Sequence, residues 1–590
     1  MIILNISQRF KDLYNKLYDS FKRFPLALLY AALTVGVSIY LNHLGYIGID
    51  DKRDMFTRIG MVLALGVPLS LSLYMLFESK PHIKKNIKII AHLGTAIVLV
   101  GYYLLLLRNL EYVSGTRYIA YTIALYLIFS FIPYIRRKEN YELYVIRLFS
   151  RFVVTYVYSM VLYLGLAAIL GTINLLFDAG ISGRVFADIA FIVAGIFAPT
   201  FFLADVPRRE EEISVVDYPK VIRVLLQFIV LPLLSVYTII LYIYFAKIIV
   251  TMELPQGIIG NLVLWYSIVS TIVLFFIYPL KKSNQWIRYF ILIFPKAIIP
   301  LLGMMFLALG IRINAYGITE DRYFVLIIGL WITGIMIYYS IKKDIRNIIL
   351  TITLSIIAIL SVTGPWSAYS ISKWSQNDRL EEVLERYDMI DENNEIKSPP
   401  IEKELSEIDK EIISSVILYF DRNYDLEDIK YLPEDVKISD IKDIFGFELK
   451  DDRMGYPAAR EYFGYNLDKM NNLVDISDFD YFGDINVYPY DNIEQEQGDY
   501  TIEYNNSDRK LVVKNKEDIL YTKNLEEVVE LLHKQNQGKG SLEQEKMTFI
   551  EETKDIKIQI VFKHIHGYED RAIEEVVVES VEFYSFIKFK

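Results

Sequence analysis

Eleven runs of about twenty mostly apolar residues, each long enough for one helix to cross a bilayer core, succeed one another through the first 364 residues of this 590-residue chain. Their approximate limits are 25–44, 59–77, 87–107, 118–135, 152–176, 186–204, 221–246, 258–280, 287–310, 323–341 and 346–364. In hydrocarbon a backbone must satisfy its polar groups internally, and a helix does so within each run. The expected architecture is therefore an α-helical polytopic membrane bundle of about 11 transmembrane helices.

Charge divides the chain where the runs end. Residues 1–364 carry 34 Lys and Arg against 20 Asp and Glu, net +14, while residues 365–590 carry 28 against 52, net −24. Two different solvents are implied. The 53% apolar content and mean hydropathy of +0.29 exclude disorder over most of the chain. The absence of cysteine excludes a disulfide scaffold and a Cys-ligated zinc or iron–sulfur site, and leaves the compartment open. The first run is an anchor: it is too long for a cleavable signal, no small-residue cleavage site ends it, and further spans follow. Before it, Phe10, Leu13, Leu17, Phe21 and Phe24 recur at helical spacing among Lys11, Lys16, Lys22 and Arg23. Such a segment either lies on an anionic leaflet or packs against the bundle.

Orientation follows from basic residues in short loops, which are retained on the cytoplasmic side. The N-terminus and even-numbered loops hold 24 Lys and Arg, the odd-numbered loops nine. The N-terminus is thus expected inside and, with an odd number of spans, the C-terminal region outside.

Past Gly364-Pro365-Trp366 the composition turns hydrophilic, and Trp366, Tyr369 and Trp374 suit an interfacial aromatic belt. Residues 372–388 place Leu380, Val383, Leu384 and Tyr387 on one helical face, and after Pro399-Pro400 a second amphipathic helix is predicted over 401–423. The period then changes to that of strands. Tyr500–Tyr504 and Lys510–Lys514 flank a turn and predict a hairpin, residues 525–534 a helix, and 556–565 and 573–589 long strands. The organisation expected is a cytoplasmic amphipathic segment (1–24), a transmembrane bundle (25–364), an interfacial or stalk helix (365–398) and an acidic extracytoplasmic α+β domain (399–590).

The chain carries no recognisable catalytic motif and reads as a non-enzyme more readily than as an enzyme. His564-x-His566 places two imidazoles on one strand face without acidic or Cys partners, a solvated face rather than a metal site. Asp478-x-Asp480-x-x-Gly483-Asp484 resembles the start of a calcium loop, but Phe482 and Pro489 occupy positions that need oxygen ligands, so it is not an EF-hand; it reads as an acidic turn, with an irregular calcium site as the alternative. Lys296, bracketed by Pro295 and Pro300 near the middle of the ninth span, is the most informative intramembrane residue. Proline removes a backbone donor, so a kinked or interrupted helix beside an ionisable group is expected. Such a group points to a binding site or an ion pair, the alternative being a lysine that snorkels or is satisfied by carbonyls freed at Pro300. Asp50, Asp51 and Asp54 in the first outer loop match only the layout of transferases that use lipid-linked sugars.

Two stretches carry a resemblance. Gly310-Ile-Arg312-Ile-Asn-Ala-Tyr316-Gly317-Ile-Thr319-Glu320-Asp321-Arg322-Tyr323, followed by a Gly-Leu-Trp331 span, resembles the signature of the bacterial membrane family known as domain of unknown function 4153. Gly364-Pro365-Trp366-Ser367-Ala-Tyr-Ser370 with Ser375-Gln376 and Arg379-Leu380 is similar to that family's exit from its last span. The resemblance implies no activity, substrate or site residue. From the residues themselves, Gly317 permits positive φ in a tight outer turn and Thr319 is placed to cap the next helix. Arg312 and Arg322 flank the turn near the headgroups and are candidates for an anionic ligand or for pairing with Glu320 and Asp321.

Lys296, Arg312 and Arg322 are the candidate binding residues, with no catalytic or metal-binding residue and no cofactor expected. The lipid bilayer is the expected partner, joined by an envelope protein or lipid; no nucleic acid is. The leading functional expectation is an envelope protein that senses or interacts through its outer domain. A secondary transporter with its site at Lys296 comes second, and a lipid-linked glycosyl- or phospho-group transferase third.

Overall fold

The computed structural model describes residues 15, 17–44, 50–136, 140–208, 211, 213–251, 258–391, 396, 405–433, 436–447, 449, 460–467, 476–486, 492–505, 508–516, 518–536, 540–570 and 575–590. They divide into two compact units, Met1–Phe447 and Glu448–Lys590.

In the first unit the spans are α1 Pro25–His43, α2 Asp50–Ser79, α3 Lys85–Leu105, α4 Tyr112–Phe131 and α5 Tyr141–Phe177. They continue with α6 Gly183–Ala204, α7 Lys220–Thr251, α8 Ile258–Ile277, α9 Gln285–Tyr316 and α10 Glu320–Ile341. These ten are the helices among the described residues that are long and apolar enough to cross a bilayer. The chain is a multi-pass membrane protein. The eleventh predicted span is the shorter α11, Ile348–Leu360, whose helical rise of about 20 Å falls short of a core about 30 Å thick.

Contacts between loops define two ends of the bundle. At one end Arg23 donates to Glu78 at 2.7 and 2.9 Å and to the Val206 carbonyl at 2.6 Å, while Asn347 donates to Glu142 at 2.6 Å. At the other, His43 lies 2.7 Å from Asp188, Arg58 donates to the Leu107 carbonyl at 2.7 Å, and the Thr116 and Tyr369 hydroxyls lie 2.5 Å apart. The chain thus leaves Glu142 at Asn347 and reaches Thr116 at Tyr369. It packs along α4, and residues 361–367 after α11 are non-helical.

Prolines shape the helices in two ways. A wider π-type turn precedes Pro199 in α6, at Val193–Phe197, and another precedes Pro232 in α7, at Leu225–Val230, absorbing the backbone bond each proline cannot make. Of the kink or interruption expected from Pro295 and Pro300, the interruption is absent: α9 is one continuous helix of 32 residues. Its inner face, Ile298, Leu301, Leu302 and Met305, is fully buried against Ile332 and Met336 of α10. Neighbouring helices hold such a proline-bearing segment in place. Before α1, Ser20 and Phe24 are buried while Tyr18 and Phe21 remain half exposed, so this end of the N-terminal segment packs on the bundle. Phe10 and Leu13 lie outside the described residues.

The first unit extends well beyond the last span. Helix α12, Ala368–Arg386, and helix α13, Glu407–Asn423, pack against each other, and a short α14 follows at Ile441–Phe445. Their apolar faces, Leu380, Val383 and Leu384 on α12 and Ile413, Val416, Ile417 and Phe420 on α13, are buried. The compact division of the chain therefore falls at Phe447, not at the composition break; the Pro399-Pro400 pair lies outside the described residues.

The second unit is β-rich with one helix among its described residues. Its strands are β1 Arg460–Leu467, β2 Tyr481–Ile485, β3 Asn492–Gln497, β4 Tyr500–Asn505, β5 Lys510–Asn515 and β6 Asp518–Asn524. Helix α15, Leu525–Asn536, precedes β7 Gly540–Leu542, β8 Thr548–Glu552, β9 Ile556–Asp570 and β10 Glu575–Phe589. One sheet runs β2-β10-β9-β1-β7 with β8 also on β9; the other is the meander β3-β4-β5-β6. The predicted hairpin is present as β4 and β5, with Tyr504 opposite Leu511. Tyr504, Leu511 and Val513 of the meander share a core with Val529 of α15 and Phe562 and Phe583 of the larger sheet.

Candidate functional site

The turn between α9 and α10 exists because Gly317 adopts φ 68°, ψ −178°, a conformation open almost only to glycine. Its N–H closes α9 on the Ile313 carbonyl at 2.8 Å. A Cβ at Gly317 would meet Arg379 Cδ at 2.6 Å, Gln376 Nε2 at 2.8 Å and Ser375 Oγ at 3.2 Å. Those three residues belong to α12, which closes directly over the turn. The Ile318 N–H donates to Ser375 Oγ at 2.9 Å, and Gln376 Nε2 donates to the Tyr316 and Ile318 carbonyls, each at 3.1 Å. Arg379 donates to Gln376 Oε1 at 3.0 Å and so orients the amide. From the α10 side Arg322 donates to the Tyr316 and Gly317 carbonyls at 3.0 and 2.6 Å, its guanidinium over the Tyr316 ring. The Tyr323 hydroxyl donates to the Trp366 carbonyl at 2.6 Å. The two sequence stretches set out above, distant in the chain, are thus two halves of one lock.

Beside the lock a carboxylate is buried. Thr319 occupies the N-cap position of α10 without a side-chain cap bond, and Glu320 and Asp321 form the first turn as expected. Glu320 is only 4% exposed. It accepts the hydroxyl of Tyr419 at 2.5 Å and that of Tyr424, both from α13 and its end. Burial, then the adjacent carboxylate, pushes the Tyr419 phenol far above its ordinary range; burial, Tyr419 and Glu320 do the same to Tyr424. Both stay protonated and both remain donors. Charge-assisted bonds of this kind are about twice as strong as neutral ones.

Three further clamps hold α12. Lys373 Nζ lies 2.5 Å from Asp428 and over the Tyr424 ring, and Lys430 and Tyr431 both bind Glu381. The Tyr431 hydrogen bond, then Lys430, holds the Glu381 carboxyl below its usual range. On the far side Asp409 of α13 accepts Arg386 at 2.7 Å, Tyr387 at 2.9 Å and Ser406 at 2.5 Å. The arrangement is a joint of hydrogen bonds and ion pairs between the end of the bundle and the helices that follow it, with the Tyr419–Glu320 bond buried at its centre.

The residues singled out by sequence are not gathered there as a set. Arg322 is part of the lock, bonded to carbonyls. Arg312 is exposed near the end of α9, about 24 Å along the helix from Lys296. Lys296 is exposed on the outward face of α9, next to exposed Leu292, Ile293 and Pro300. The carbonyl one residue further on, that of Ala297, accepts the Tyr242 hydroxyl at 2.8 Å.

Asp54 is exposed at the start of α2, while the side chains of Asp50 and Asp51 lie outside the described residues. In the second unit His564 contacts Asn466 and His566 contacts Glu579, at 2.7 and 3.0 Å. In the acidic turn Asp484 pairs with Lys563 at 2.5 Å and Asp480 accepts the Phe589 N–H at 2.9 Å. Among the described residues no three His, Asp or Glu side chains gather into a metal-binding group. Sequence reasoning missed Tyr419 and Tyr424 as partners of Glu320; nothing local marks them, one lying within α13 and the other just past its end. It also missed the buried Glu142–Asn347–Tyr339 chain at the other end of the bundle, in which Asn347 joins the two side chains.

The profile of the family described as Domain of unknown function (DUF4153) matches residues 27–391, which contain both halves of the lock. An uncharacterized protein of Pasteurella multocida (strain Pm70), PM1469, is 24% identical over 272 residues, which is 45% of this chain and 46% of that protein. The chain thus spans about half the length of that relative. No solved structure matches it significantly.

Proposed function

The chain belongs to the DUF4153 family, and from that premise we propose that it is a bacterial envelope protein whose hydrophilic C-terminal region senses or binds a partner outside the membrane. On this reading the N-terminus is cytoplasmic, the C-terminal region is extracytoplasmic, and events there reach the bundle through the joint at Glu320. The observation that carries it is the buried Glu320 carboxylate bound by Tyr419 and Tyr424. A passive tether needs no such bond, because each buried charge-assisted contact fixes the geometry of the elements it joins. The excess of basic residues in the even-numbered loops supports the orientation. Transport at Lys296 has less support, since the lysine lies on the outward face of an unbroken helix.

The test is complementation of a deletion strain. A chain ending at residue 447 should insert and accumulate yet fail to restore the phenotype, whereas Lys296→Met should restore it fully. The opposite pattern, with the truncated chain active and Lys296→Met inactive, would sink the sensing role and favour transport.

A further inference from the structure

A groove of about 490 Å³ opens between the first turns of α5 and the segment that leads into α7. Its α5 wall is one helical face, on which Arg147, Ser150, Arg151 and Val154 follow at three- and four-residue spacing. Glu211, Ser214 and Asp217 stand opposite. Arg147 pairs with Glu211, and Arg151 lies 3.2 Å from Asp205. Hydrogen bonds from the Ser214 backbone and hydroxyl hold the Asp217 carboxyl below its usual range, so it is ionised at neutral pH. Among their described residues the groove walls thus present two guanidinium groups and two carboxylates, with Asp205 a third carboxylate against Arg151 just outside the lining.

The same face of α5 continues past the groove as Val157, Tyr158, Val161 and Leu164, exposed by 53, 57, 64 and 53%. A polar mouth near the end of a membrane helix therefore runs without a break into an open apolar strip. That is the shape of a headgroup followed by acyl chains. The charges choose the headgroup. A purely anionic lipid would compete with Glu211 for Arg147 and leave a carboxylate beside it, whereas a head carrying both a phosphate diester and a primary ammonium matches both signs.

We propose that this groove is a phospholipid site for a phosphoethanolamine head, with the phosphate on Arg147 and Arg151, the ammonium on Glu211 and Asp217, and the acyl chains along α5. The site is independent of the joint at Glu320 and of any sensing role.

The full chain, purified in mild detergent, is mixed with equal amounts of dioleoyl phosphatidylethanolamine, phosphatidylcholine and phosphatidylglycerol, and retained lipid is read by native mass spectrometry. Phosphatidylethanolamine should dominate. Arg151→Gln and Asp217→Asn should each lower its retention about tenfold, the loss of one hydrogen bond to a charged group. Should either variant fold poorly, the unaltered chain suffices: soluble glycerophosphoethanolamine should displace the bound lipid and glycerol 3-phosphate should not. Preferential retention of phosphatidylglycerol, equal retention of all three lipids, or displacement by glycerol 3-phosphate would overturn the assignment, as would folded variants that keep the preference.

Discussion

Tyr419 of α13 donates its hydroxyl to the Glu320 carboxylate of α10 across 2.5 Å of space and 99 residues of chain. A buried carboxylate without donors is strongly destabilising, so each phenol removed has a measurable cost. Tyr419→Phe should lower the stability of the detergent-solubilised protein by about 1.5–3 kcal/mol. Combined with Glu320→Gln the loss should be less than additive, the sign that the two groups act on each other. Additive losses in chemical unfolding would mean that the contact carries no energy.

Gly317 is the hinge on which the lock closes. Gly317→Ala forces a side chain into the space of Arg379 and Gln376 and into a strained backbone region, at about 1–3 kcal/mol. The chain has no cysteine, so a single Ser375→Cys introduced under the turn reports on it. Maleimide should label that thiol faster in the Gly317→Ala background, and an unchanged labelling rate would show that the lock tolerates the side chain.

The α12–α13 clamp has a definite pH dependence. Burial raises the Asp409 carboxyl, but hydrogen bonds from Ser406 and Tyr387 and the charge of Arg386 outweigh it and leave the group below its usual range. A depressed carboxyl adds stability above its unfolded value, about pH 4, and that stability is lost as pH falls through the lower, folded value. Acid melts of the full chain should show this loss, and Asp409→Asn should flatten it while lowering stability at pH 7. A variant with the acid limb of the unaltered chain would rule out Asp409 as its source.

Reporter fusions at residue 140 should report the cytoplasm and fusions at residue 390 the exterior. The two positions lie on opposite sides of seven predicted spans, so an identical readout at both would mean that one span does not cross.

The spans were legible because twenty apolar residues in a row leave a chain few alternatives, and the β4–β5 hairpin because Tyr500–Tyr504 and Lys510–Lys514 alternate around a turn. The lock was half legible. Its residues stood out in two separate stretches, yet only the tertiary fold lays Gln376 across Gly317. The Glu320 joint left no trace, since a contact over 99 residues imposes no local period. The amphipathic faces of α12 and α13 disclosed two helices without disclosing what they bury, which is why the composition break at 365 precedes the compact division at 447. For α9 a local rule was overridden in part: proline removes backbone bonds, yet the helix continues through both, with Ile298, Leu301 and Met305 buried on its inner face.

Lys296 is where the transport and sensing readings separate most sharply. Its side chain is exposed on α9 beside Leu292, Ile293 and Pro300, and it makes no ion pair among the described residues. A lysine at the centre of a membrane helix costs about 2.5–3.5 kcal/mol on insertion scales, so replacing it by methionine, of similar length and without charge, removes a cost and strands no partner. Lys296→Met should therefore insert normally, accumulate to at least the level of the unaltered chain and melt no lower. Were an opposite charge buried against it, the same change would destabilise by about 3–5 kcal/mol. Abundance in membranes and a thermal melt in detergent decide between the two. If the variant is stable and also complements the deletion strain, the charge serves no ligand, and the case for transport at the ninth span falls with it.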